Sequence, residues 1–62
     1  MRLNGQIVGS WADFRRAVAE ADNVPEDAVL TKNRVGNFAI LTAEGEYIGY
    51  VDPHVPEVVL NV

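Results

Sequence analysis

Asp52-Pro53-His54 is the segment of this sequence best equipped for acid–base chemistry, with Glu57 close behind and Tyr47 and Tyr50 just upstream. A histidine beside a carboxylate can serve as a general base, because its unperturbed pKa lies near neutrality. A nuclease-like or cyclising mechanism built on one histidine also needs a cation or hydroxyl to meet transition-state charge. Arg34 or Tyr50 is of the right type. The same residues have a plainer reading, which is preferred: Asp-Pro opens turns, and a histidine between two prolines sits in an exposed turn. No nucleophile elbow, paired-carboxylate motif or phosphate loop accompanies it. No residue is therefore assigned a catalytic role, and the chain reads as a non-enzyme.

Positive charge is concentrated in two places, Arg15-Arg16 and the Lys32-Asn33-Arg34 loop that runs on to Gly36-Asn37. Backbone amides with Lys32 and Arg34 could hold a phosphate, and Arg15 and Arg16 would add to the site if the helix lay alongside. This is the basis of an alternative reading as a nucleic-acid-binding or nuclease-like domain with His54 as base. Against it stands a solvated hairpin loop, where Asn and Gly answer backbone needs. The net charge of −4, nine carboxylates against five Lys and Arg, argues the same way, since nucleic acids and anionic membranes call for a cationic surface. Asp22, Glu26 and Asp27 form one acidic group and Glu44 and Glu46 another. Their spacing is neither phosphate-like nor that of a calcium loop, and helix ends account for several of them.

The elements that position these residues follow from periodicity. Ser10 can cap a helix, with Asp13 three residues on, and Trp11, Phe14, Val18 and Ala21 recur on one face beside Ala17. That spacing makes Trp11 and Phe14 core residues rather than a base-stacking surface. Asp22-Asn23 and then Pro25 end the segment, which predicts a helix over about 11–21. Before it, Asn4-Gly5 predicts a hairpin of two very short strands in Met1 to Val8, with Leu3, Ile7 and Val8 available to a core. After it, Pro25-Glu26-Asp27 reads as a single helical turn. Strands are expected at 28–31, 37–42, 46–51 and 58–60, with Gly45 free to take a positive φ in the turn after Ala43. Phe38 and Ile40 share one face, and Ala39 and Leu41 the other. Tyr47 and Tyr50 differ in parity, so a regular strand would bury one and expose the other.

The expected fold is α+β, a single domain over residues 1–62 in the order ββαβββ. An antiparallel or mixed sheet of four or five strands would carry one amphipathic helix on one face. The β-grasp arrangement is similar in beginning with a hairpin followed by a helix. A chain of 62 residues buries only roughly 60% of its unfolded surface, and such domains usually need a staple or a partner. There are no cysteines and only one histidine, so disulfides, thiolate chemistry and cysteine- or histidine-rich metal sites are excluded. No cofactor is expected. No apolar run exceeds four residues, far short of a membrane span, and no signal peptide is visible; the expectation is a cytoplasmic protein.

Acidity, size and the lack of a catalytic set predict a small protein-interaction module, an inhibitor or an accessory subunit. Its binding surface would use Glu44, Glu46, Tyr47, Tyr50 and His54. A third reading is a self-assembling subunit: Val58, Val59, Leu60 and Val62 are apolar enough to be either a buried strand or an edge that pairs with a second chain.

Overall fold

Ser10 starts the helix as its position predicts: its extended backbone precedes the first turn, and its hydroxyl accepts from the Asp13 amide at 3.1 Å. Helix α1 then runs Trp11–Ala19, and the chain leaves it through Glu20, whose amide still reaches the Arg16 carbonyl. The ending comes about two residues before the one expected. The computed structural model describes residues 2–52 and 54–60, so Met1, Pro53, Asn61 and Val62, which enter the sequence-based reading, lie outside it.

Four strands follow: β1 (Val29–Lys32), β2 (Phe38–Leu41), β3 (Tyr47–Asp52) and β4 (Val55–Leu60). They form one sheet in the order β1-β2-β3-β4, each antiparallel to its neighbour. Each lies within a few residues of its expected position, with β4 reaching back to Val55. Pro25 to Ala28 is a turn closed by the Ala28 amide on the Pro25 carbonyl. In the β2–β3 turn Gly45 takes φ +93°, a conformation costly for any residue with a Cβ. Its amide bonds the Thr42 carbonyl.

The helix lies on the face that carries Phe38 and Ile40. Trp11, Phe14 and Phe38 form a triad with centroids 5.2–5.7 Å apart, the tilted and edge-on geometry aromatic quadrupoles favour. Phe14, Leu3, Val8, Ile40, Val51 and Val58 are the buried apolar residues among those described. Trp11, Ala17, Val18 and Ala21 pack half-buried against them. Gly49 sits directly opposite Ile40, and a Cβ there would come within 3.3 Å of the Ile40 side chain and 3.1 Å of the Val59 carbonyl. The glycine makes room for that packing.

The expected N-terminal hairpin is not formed, so the ββαβββ order and the likeness to the β-grasp are both corrected: the order is α followed by four strands. The segment lies along β4 instead. Gly5 donates to the Val58 carbonyl at 2.7 Å, Val58 donates to the Gln6 carbonyl at 2.9 Å, and Val8 donates to the Pro56 carbonyl at 2.8 Å. Ile7 and Glu57 form an isolated antiparallel bridge. Two three-residue arms cannot recover the roughly 1–2 kcal/mol per residue needed to fix their backbones, whereas β4 offers a ready-made edge. In this arrangement Leu3 and Val8 enter the core while Ile7, expected with them, stays 70% exposed. Asn23, read from sequence only as part of a helix stop, holds Leu3 on both sides. Its Oδ1 accepts from the Leu3 amide at 2.8 Å and its Nδ2 donates to the Leu3 carbonyl at 3.1 Å.

Asn23→Ala is expected to lower unfolding free energy by about 1–3 kcal/mol, the cost of leaving two half-buried backbone groups unpaired. A urea titration would show the midpoint fall with the slope unchanged. Gly49→Ala should cost a similar ~1–3 kcal/mol through overpacking, read by the same titration.

Candidate interaction face of the sheet

The sheet has a second face, turned away from α1. Thr31, Ala39, Tyr50 and Val59 stand in register across all four strands, and Val29, Leu41 and Tyr47 form a second row beside them. Val29, Tyr47, Tyr50 and Val55 are exposed, and no helix or loop covers the face among the described residues. An apolar surface of this kind on a small domain is the usual mark of an interaction site.

Both tyrosines belong to this face, against the parity argument, and a bulge is the reason. Ile40 pairs with Gly49 but Leu41 pairs with Tyr47, so Ile48 is an extra residue on β3. Ile48 packs against the core and Gly49 is buried beside it. Two consecutive residues thus face inward, the alternation resets, and Tyr47 and Tyr50 emerge on the same side. Together with Thr31, Asn33, Asn37 and Ala39 they line an open hollow of about 330 Å³. A neighbouring hollow of about 260 Å³ lies between Tyr50, Val55 and Val59, with Asp52 and Glu57 as its polar members. Neither hollow has a lysine or arginine in its lining. Period-two alternation groups Ala39 with Leu41, Asp52 with Tyr50 and Glu57 with Val59; Val55 depends on a second irregularity, between Val51–Val58 and Asp52–Val55, that no local signal announces.

Glu44 and Glu46 sit on the β2–β3 turn, exposed at the end of the face next to Tyr47. The turn is bonded within itself: Thr42 donates to the Glu46 carbonyl, and the Glu46 amide donates to the Thr42 hydroxyl. His54 is exposed in the β3–β4 turn, and its backbone amide donates to Asp52 Oδ1 at 2.7 Å. The carboxylate therefore caps the turn through the main chain.

The four cations of the phosphate-binding alternative have different surroundings. Arg16 lies 3.7 Å from Asp13 on the exposed side of the helix. Lys32 Nζ stands 5.7 Å over the Trp11 ring, on the helix side of the sheet, a favourable cation–π position. Arg15 borders a groove that also includes Glu26, and Arg34 is exposed in the β1–β2 turn. Asn33 ties that turn together, its Oδ1 accepting from the amides of Val35 and Asn37. No group of three His, Asp or Glu that could hold a metal occurs among the described residues. No described helix is long and apolar enough to cross a membrane.

Comparison with family models, curated proteins and solved structures gives no match, so the reading of this face rests on its chemistry.

If Asp52 acts through the turn, Asp52→Ala should destabilise the fold by about 0.5–1.5 kcal/mol. His54→Ala should stay within about ±0.5 kcal/mol of the parent. Thermal unfolding of the two variants side by side separates a turn-capping carboxylate from a His–Asp pair.

Proposed function

We propose that the chain is a non-enzymatic protein-interaction module, a cytoplasmic accessory subunit or inhibitor, whose uncovered sheet face binds an extended, basic segment of another protein. The observation that carries this is the joint exposure of Tyr47 and Tyr50 on one face, at 69% and 46%. Tyrosine offers a large contact area with a polar tip, and it is enriched among the residues that dominate binding energy. Aliphatic neighbours, Val29, Val55 and Val59, extend the contact on both sides.

Charge selects the partner. Asp52 and Glu57 lie in the hollow beside Tyr50, Glu44 and Glu46 stand at the other end of β3, and the chain as a whole carries −4. A segment presenting Arg or Lys between apolar residues would meet carboxylates at both ends and tyrosines in the middle. Arginine suits this surface best, since its guanidinium both pairs with carboxylates and stacks on tyrosine.

Selection of displayed random peptides against the protein tests the proposal. Enrichment of Arg- or Lys-bearing apolar sequences is the expected result. Tyr47→Ser and Tyr50→Ser should each weaken a selected peptide by about tenfold or more. Charge reversal at Asp52 and Glu57 should chiefly slow association and reduce its salt dependence. Acidic winners, or binding indifferent to both tyrosines, would refute the assignment. Reversal of Glu44 and Glu46 with no change in affinity would remove those two from the interface.

A further inference from the structure

The edges of the sheet are unequal. The outer edge of β4 is occupied by residues 5–8 through three backbone hydrogen bonds, and the Leu60 amide reaches Asn4 Oδ1 at 3.2 Å. Self-assembly through Val58–Leu60 would have to strip that segment away. Among the described residues β1 has no such cover. The Asn33 amide bonds the Asn37 carbonyl, which makes 33–37, 31–39 and 29–41 the hydrogen-bonded pairs and turns the amides and carbonyls of Leu30 and Lys32 outward. No backbone hydrogen bond outside the sheet uses either residue among those described.

We propose that β1 is a homodimer edge, pairing antiparallel with β1 of a second copy about a two-fold axis at Leu30. The argument is charge complementarity. Glu26 and Asp27 precede the strand, Lys32 is its last residue and Arg34 follows it, all four exposed. An isologous antiparallel pairing sets the leading end of each copy against the trailing end of the other, so the same attraction is formed twice. With Leu30 opposite Leu30 of the second copy, Ala28 comes opposite Lys32, and the turn that carries Glu26 and Asp27 lies beside the turn that carries Arg34. A parallel pairing, or an antiparallel one centred on Lys32, would bring like charges together.

The surface beside the edge supports the same occupant. On the helix side, Val18, Ala21, Val24, Pro25, Ala28 and Leu30 line an open groove of about 380 Å³, with Arg15 and Glu26 as its charged members. A two-fold axis at Leu30 turns the two grooves toward each other, so that each copy shields the other's apolar lining. For a chain of this length a second copy is also a common source of the stability its own core lacks. The pairing leaves the tyrosine face open, and the two roles fail separately.

Sedimentation equilibrium over a range of concentrations tests this. A mass rising to twice that of the chain is expected, with dissociation favoured by salt. Glu26→Arg and Arg34→Glu should each weaken the dimer by about tenfold or more, by turning two attractions into two repulsions. The Glu26→Arg/Arg34→Glu double variant should regain most of the loss. Lys32→Pro removes an outward amide that its own sheet does not use; it should be monomeric, with circular dichroism confirming that the domain is folded. A parent protein that stays monomeric throughout would overturn the proposal. So would a dimer indifferent to these charges, or one abolished by Tyr47→Ser/Tyr50→Ser, since that would put self-association on the open face.

Discussion

The antiparallel seam between residues 5–8 and β4 is the constraint on which the remaining architecture depends. It uses three main-chain hydrogen bonds, and its consequences exceed them. It carries Leu3 and Val8 inward, two of the six buried apolar residues described, each worth about 1.5–3 kcal/mol on full burial. In a domain whose whole stability is of order 3–5 kcal/mol, neither can be spared. The seam also protects one edge of the sheet and so leaves β1 as the free one. Asn23 locks it from the opposite direction by holding Leu3 through both of its backbone groups. The first residues of the chain, the helix exit and the last strand therefore form one cooperative unit.

With α1 and this segment committed to one side, nothing among the described residues remains to cover the other. The described residues form one helix, and its apolar stripe is used up by Phe38, Ile40 and their neighbours. An antiparallel sheet tolerates one solvated face, but such a face would ordinarily alternate polar residues outward. Here Ala39, Leu41, Tyr47, Tyr50 and Val59 take those positions. The bulge at Ile48 is what concentrates them. Without it one tyrosine would compete for core volume that Ile48 and Gly49 now share.

The helix and the strands were legible because their signals are local. Ser10, the spacing of Trp11, Phe14 and Val18, and the alternation about Phe38 and Ile40 are each stated within a few residues. What escaped was non-local or irregular. Asn4-Gly5 is a strong turn signal, and the chain does bend there, but the partner of the flanking residues lies more than fifty positions away at Val58. The parity of Tyr47 and Tyr50 was a sound inference for a regular strand and failed on a single inserted residue. Of the candidate site, the tyrosines, the turn carboxylates and the grouping of Asp52 and Glu57 with them were nameable from sequence, whereas the company of Val55 was set by register.

Placing the free edge and the open face on different surfaces has a mechanical consequence. Extension of a sheet through an edge strand adds strands in the plane and leaves both faces as they were. Two chains joined across β1 would therefore present two tyrosine faces on one continuous eight-stranded surface, related by the two-fold axis. A partner with two basic segments could engage both, and the second contact would then form at an effective concentration set by the rigid spacing of the faces rather than by solution. Each face alone is small, with one strong pair of anchors, and a single contact of that size gives only modest affinity. Duplication by edge pairing raises avidity without enlarging the chain. It would also tie binding to the same short strand whose flanking charges favour a second copy.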